Sequence, residues 1–418
     1  MTKRILAVTG MLAAGFAMAQ TAQAQEKPWN VSAKLRGFYD DNYATAPSNP
    51  VGAGVAPARD SLGFELSPSA SLNLNPGDQT SINASYTYSM RYFEDRVEDS
   101  ADHSHIFQGR LTHNFSERAR LELNESFAIA QEPQLLDPAT LTRPLRSEGD
   151  NIRNIAGFVF GIDVTRLLGF EFGYQNSFYD YEQEGLDSLS ARLDRMEHQV
   201  MLNSRWMISE PTTGIFGYTL NITDYNADDQ ITPPVPPGPV AADTRNSISH
   251  SLYVGADHSF SRQFLGSFRV GGTYTEYPNA VVGVSSSALS PYVDISGNYS
   301  YGDGSYVMVG ARVNRSSTDV NNSLDQQAYA LYGSVNHRIT PRLIASVIGQ
   351  YQYSRFSEGP EDGSSDNFFA VGLNLSYEIN NFLSAETGYN YDRLDSNVTA
   401  GNRSYTRNRV YIGIRATY

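Results

Sequence analysis

Apolar and polar residues alternate one for one in about eighteen short stretches of this chain. The final stretch shows the pattern best: Val410, Ile412, Ile414, Ala416 and Tyr418 share one parity, and Arg409, Tyr411, Gly413, Arg415 and Thr417 the other. Successive side chains of a strand point to opposite faces, so such a strand has one greasy and one charged face. The same alternation runs through Phe170, Phe172 and Tyr174, from Phe369 to Tyr377, and from Phe64 to Leu74. In a soluble sandwich, an arginine on the hidden face needs a buried partner. In a membrane barrel the polar face lines a watery lumen and the apolar face meets lipid. The pattern predicts an all-β fold, a single transmembrane antiparallel up-and-down β-barrel.

The connections alternate between short and long. The short ones fall at 75–78, 116–118, 165–167, 210–212, 261–263, 302–304, 340–342 and 380–381, several with the Gly, Pro, Asn and Asp that tight hairpins use. Between them lie longer polar links such as 41–60, 131–150 and 226–243. A soluble sandwich or solenoid, the competing architecture, has no need of ordered turn lengths. Bacterial barrels have short periplasmic turns and long extracellular loops, so eight turns and nine loops imply about 18 strands with both termini periplasmic. Two positions disturb the pattern. Pro68 cannot donate to a ladder and predicts a bulge. Glu125 shares the apolar parity of Leu123 and Phe127 and predicts a bulge or an early strand end there.

The beginning of the chain points the same way. Lys3 and Arg4 precede a mostly apolar run from Ile5 to Ala19, and Ala22-Gln23-Ala24 is a small-x-small cleavage site. Residues 1–24 therefore read as a signal peptide and 25–418 as the barrel. No cysteine follows the cleavage site to make a lipoprotein, and no run approaches the roughly 18 to 20 apolar residues of a spanning helix. Only residues 25–29 precede the first strand, which predicts no N-terminal plug. An exported chain of amphipathic strands belongs in a Gram-negative outer membrane, in contact with its lipid and lipopolysaccharide. The aromatic Tyr418 on an alternating last strand looks like the signal that barrel-insertion machinery reads.

Composition narrows the function classes. The chain has no cysteine, which excludes disulfides and thiolate metal sites. Its formal net charge of −14 is the wrong sign for a nucleic-acid binder. The 27 tyrosines and 20 phenylalanines suit aromatic girdles at both membrane interfaces.

Asp102-His103-Ser104-His105 puts two histidines on one strand face, where they could hold a metal, but a solvated loop rim accounts for them better. Ser249-His250-Ser251 suggests a nucleophile and base, yet neighbours on a strand face opposite ways. Acidic loops carry Glu94, Asp95, Glu98, Asp99 and Asp102, and Glu358, Glu361, Asp362 and Asp366, without the spacing of an EF-hand. No catalytic, metal or cofactor site is expected. The prolines of 233–239 read as a stiff excursion at the cell surface. Phase-matching makes Arg36, Arg110, Arg205, Arg269, Arg415, Glu171, Asp294 and Glu378 pore-lining, along with Lys34, Arg91, Arg312, Arg409, Glu65, Glu122, Asp257 and Glu386. Such charges either set ion preference or pair with each other and hydrate the wall. Inward Tyr253, Tyr292, Tyr306 and Tyr411 could offer stacking surfaces to sugar rings.

Several segments resemble a known family. Tyr39-Asp40-Asp41-Asn42, 67–75, 86–96 (YTYSMRYFEDR), 106–135 with its FSERARLELNESF core, and 195–206 (RMEHQVMLNSRW) are similar to a β-barrel porin family often found near exopolysaccharide gene clusters. The resemblance implies an outer-membrane barrel with a part in envelope transport or polysaccharide export, and it transfers no functional residues. The first expectation is a channel for small hydrophilic solutes, narrowed by an inward-folding loop such as 131–150. The alternatives are a conduit or accessory protein for exopolysaccharide export and a barrel that displays adhesive loops.

Overall fold

The computed structural model describes residues 27–47, 58–97, 99–130, 150–399 and 403–418. The signal peptide read from residues 1–24 and loop residues 131–149, expected to fold inward, lie outside these. The first half of the wall comprises β1 (Trp29–Asp40), β2 (Ser61–Gly77), β3 (Thr80–Phe93), β4 (Ala101–Asn114), β5 (Ala119–Ala130), β6 (Asn151–Asp163), β7 (Leu168–Tyr181), β8 (Arg195–Ser209) and β9 (Thr212–Tyr225). A small hairpin of β10 (Gln230–Ile231) and β11 (Val240–Ala241) occupies the next loop. The wall resumes with β12 (Ser247–Ser259), β13 (Phe264–Glu276), β14 (Ser287–Gly302), β15 (Ser305–Ser316), β16 (Asp325–Thr340), β17 (Leu343–Ser357), β18 (Ser365–Asn380), β19 (Leu383–Ser396) and β20 (Tyr405–Thr417).

Every strand pairs antiparallel with the next, β9 with β12, and β20 returns to β1 from Ser32↔Thr417 to Asp40↔Arg409. The result is a closed 18-stranded barrel. Closure leaves no edge of unpaired backbone groups, the condition for strands to stand in lipid. Leu35, Phe172, Leu202, Phe216, Leu252, Leu331, Leu373 and Ile412 are among the large apolar side chains exposed on the outer parity. On the opposite parity lie serines, threonines, amides and charges. An exposed apolar belt of this extent marks a surface made for a non-aqueous neighbour. Aromatic residues rim it at the turn end (Trp29, Phe115, Trp206, Phe260, Tyr418) and toward the loops (Tyr39, Tyr274, Tyr351, Phe369).

Neither predicted bulge appears, although the ladder is interrupted at Pro68. Glu125 pairs in unbroken register with Gly109 on one side and Ala156 on the other, on the outer face. Asn154, also outward, donates its amide to the Glu125 carboxylate, so the polar pair is accommodated without a bulge. At Pro68 the β2–β3 ladder lapses between Leu66↔Met90 and Ser69↔Thr87 and resumes in the same register. Ser67 bridges the lapse with a 2.8 Å hydroxyl contact to Ser89. In both cases closure fixes the register from two neighbouring strands, and a local preference does not override it.

Candidate functional site

Several of the described loops meet at one end of the barrel. The β7–β8 loop carries a short helix, α1 (Leu189–Leu193), with Ser188 as its N-cap. Loop 317–324 belongs to the β15–β16 connection, separated from α1 around the wall by β8, β9 and β12–β15. The two meet through arginines. The guanidinium of Arg192 donates to the Asp319 carbonyl at 2.8 Å. Arg245, only 3% exposed, donates to the carbonyls of Arg192 (2.9 Å), Thr318 and Leu324 (3.4 Å). Arg403, from the β19–β20 connection, holds the Asp319 carboxylate at 2.9 Å and that of Asp366 at 3.4 Å. Leu193, Val320 and Leu324 are buried in this assembly.

The proline run is part of the same assembly. Its first members, Pro233 and Pro234, are buried rather than projecting to the surface as expected. Pro234 packs on Gly359, whose φ of +77° suits glycine and whose missing Cβ would stand 2.5 Å from the Asn322 carbonyl oxygen. Short-range sequence gives no sign of this contact.

Asp194 ties α1 to the wall. Its carboxylate accepts from the Tyr181 amide at 2.8 Å and from the Ser190 hydroxyl at 2.5 Å. Burial, reinforced by the neighbouring Asp180 and Asp229, raises its pKa from 3.8 to about 6 against those two hydrogen bonds. The folded loop therefore holds a proton that the opened loop releases. Its contribution to closure is fully present below about pH 4 and is lost as the pH rises through 6. Hydrogen exchange of the 182–194 amides should quicken between these limits, and Asp194→Asn should flatten the pH dependence. Exchange equally pH-dependent in both proteins, after correction for the intrinsic rate, would refute the assignment.

Beneath the cap lies a chamber of about 340 Å³. Arg153, Gln175, Tyr179, Arg195, Glu197, Gln199 and Asn221 form one side, and Ser249, Ser251, Thr273, Thr275, Tyr292, Arg312 and Gln352 the other. Arg245 and Leu324 belong to its loop-side wall.

The eight residues singled out as pore-lining stand on the inner parity but outside this chamber. All but Glu378 join ion pairs, mostly between neighbouring strands, with Arg36 on β1 reaching past β20 to Glu386 on β19. Arg36 meets Glu386 at 2.5 Å, with Arg415 at 3.8 Å from the same carboxylate. Arg110 meets Glu122 at 2.9 Å, Arg205 meets Glu171 at 3.2 Å, and Arg269 meets Asp257 at 2.8 Å. Asp294 meets Arg312 at 3.1 Å. Glu378 sits exposed near the turn end. The charges therefore pair along the wall instead of opposing each other across it. The inward tyrosines are likewise engaged. Tyr253 stacks on Tyr292 at 5.0 Å, with room made by Gly217, whose Cβ would fall 2.2 Å from the Tyr253 ring. Tyr411 lies under the Arg36 guanidinium at 4.2 Å.

The histidine candidates point away from the lumen. His103 and His105 hydrogen-bond Tyr88 and Tyr86 on the outer face, while Asp102 turns inward to Arg96. His250 bonds Tyr218 outside, whereas Ser249 and Ser251 contact Thr275 and Thr273 inside. His113, His198 and His258 also meet a Tyr or Thr hydroxyl of an adjacent strand, and His337 on β16 reaches past β15 to the Tyr301 hydroxyl of β14. Among the described residues no three His, Asp or Glu side chains gather as a metal site. In the second acidic loop Glu361 accepts from Thr399 at 3.0 Å and Glu358 from the Ser285 amide at 3.3 Å, and Glu98 of the first lies outside the described residues.

Sequence reasoning missed the cap arginines and Arg153. One signal was available, since Arg59, Arg192, Arg245 and Arg403 each stand two or three residues ahead of a strand that leaves a loop.

No curated protein matches the chain. Among solved structures, OpdK of Pseudomonas aeruginosa with vanillate is 10% identical with a TM-score of 0.45, covering 93% of this chain and 99% of its own. A BenF-like porin from Pseudomonas fluorescens Pf-5 is 10% identical with a TM-score of 0.45, at 94% and 99% coverage. OccAB4 of Acinetobacter baumannii is 11% identical with a TM-score of 0.43, at 94% and 99%. Residues 239–418 match the family model described as "Putative beta-barrel porin 2", so the likeness to a β-barrel porin family holds, over the second half of the wall rather than the earlier segments in which it was read.

Proposed function

We propose that this protein is an outer-membrane β-barrel channel for small hydrophilic solutes, gated at its extracellular mouth by loops that Arg245 joins. The observation that carries the reading is a polar chamber inside a closed barrel whose outer surface is an apolar belt. Barrels of 16 to 18 strands leave an aqueous interior, so the wall itself leaves room for a path. The loops, through Arg245 and its three carbonyl partners, supply the gate. A chamber of about 340 Å³ suits a small solute better than a polymer chain, so the structure lends no weight to polysaccharide export. The eight turns opposite the cap are short and belong on the periplasmic side.

Planar-bilayer recording of the purified chain tests the proposal. The native protein should show discrete steps with brief openings. Arg245→Ala removes the clasp while leaving the strands intact, and should raise the fraction of time spent open several-fold. Silence from both proteins, each shown to be folded by heat-modifiable migration, would remove the channel reading.

A further inference from the structure

We propose that the chamber is a binding site for a small carboxylate-bearing, polyhydroxylated solute of the hexuronate class, with Arg153 as partner of its carboxylate. This deepens the channel reading and rests on it for the route by which solute arrives.

Charge is the first argument. The chain carries a net −14, yet the chamber is lined by five arginines and only two carboxylates, Glu197 and Asp325. Arg195 is matched by Glu197 at 2.6 Å, Arg315 by Asp325, and Arg312 by its cross-strand neighbour Asp294 at 3.1 Å. That leaves Arg153 and Arg245 without a carboxylate among the described residues. Arg245 spends its donors on backbone carbonyls, so it contributes field rather than contacts. Arg153 makes no hydrogen bond or ion pair among the described residues, and its Nε is buried without an acceptor. A buried donor left unpaired costs free energy that an anionic acceptor recovers, and a guanidinium presents the fork that a carboxylate fits.

The second argument is the stretch of wall on β12 and β13, four and five strands round from Arg153 on β6. Ser249 meets Thr275 and Ser251 meets Thr273, each pair at 2.8 Å, forming a two-rung ladder of hydroxyls that retain unused lone pairs. Gln175 and Asn221 add amides to the lining. This surface recognises hydroxyl groups. It offers little to a flat apolar ring, because the Arg195 guanidinium covers Tyr179 at 3.9 Å and Tyr292 is stacked on Tyr253. Charge at one side and hydroxyls at the other together select an acidic sugar over a neutral sugar or an aromatic acid.

The test is calorimetric titration of the purified full chain with sodium glucuronate, glucose and sodium benzoate, for the native protein and for Arg153→Gln and Arg153→Lys. Glucuronate should bind roughly tenfold more tightly than glucose, as one charge-assisted hydrogen bond implies, and more tightly than benzoate. Arg153→Gln should erase the preference over glucose, and Arg153→Lys should restore part of it. Equal affinities for glucuronate and glucose, a preference unchanged in Arg153→Gln, or no binding of any of the three would overturn the proposal. Benzoate binding as well as glucuronate would overturn the hydroxyl half of it. Bilayer recording of the same preparation separates the two readings: conductance without discrimination removes this site alone, and discrimination without conductance removes the channel alone.

Discussion

Replacing Arg407 with Met should cost the barrel roughly 3 to 5 kcal/mol, the penalty for leaving a buried charge without its partner. Arg407 and Asp40 are each 1% exposed and join the first and last strands of the wall. The guanidinium donates to Asp40 through Nε at 3.0 Å and through Nη2 at 2.5 Å. Next to them, the Asn408 amide and side chain both donate to Asp41 at 2.6 Å. These contacts fasten the loop end of the β1–β20 seam, which brings together residues more than 360 positions apart. A forked ion pair also fixes the register of that seam. The double change Asp40→Asn with Arg407→Met removes both members of the buried pair, leaves Asp392 to Arg409, and should recover a large part of the loss. Urea titration from vesicles, followed by Trp29 and Trp206 fluorescence, measures both. If the double variant is as unstable as the single one, the lost stability lies in packing and not in the uncompensated carboxylate.

The wall of this barrel was legible because its signal is local and repeats every two residues. Parity alone placed Arg36, Arg205 and Glu171 on the inner face and Leu373 and Ile412 on the outer one, and alternating connection lengths gave the strand number. Parity fails at the strand ends, where no periodicity marks whether Asp40, Asp392 or Arg407 is still in the sheet. The pairing of Arg407 with Asp40 therefore went unread. Pro68 and Glu125 misled for a related reason. Their local preferences come from sheets with free edges, whereas here both neighbours hold the strand in place, and Asn154 meets the carboxylate. The cap was invisible because its contacts are side chain to backbone. Arg245 binds carbonyls 53, 73 and 79 residues away, which no residue pattern announces.

The outer face should reject charge where the inner face tolerates it. Leu373 lies in the middle of β18, 44% exposed and on the apolar parity. Leu373→Arg should cost roughly 2 to 4 kcal/mol near the bilayer midplane, where a guanidinium must reach for the interface or draw water in. The immediate inward neighbour makes a poor control, because Asn374 donates to the Tyr411 hydroxyl at 2.7 Å and Tyr411 in turn supports Arg36. Ser376 is the better choice. It faces the lumen directly across from Glu386, which Arg36 and Arg415 already hold, so Ser376→Arg places its cation in water rather than in lipid. Its cost should be well under half that of Leu373→Arg, and added salt should change it more, because the luminal charge is solvated and screened. Equal destabilisation by the two arginines in urea titrations from vesicles would mean that the apolar belt does not face lipid, and the membrane placement of the barrel would fall with it.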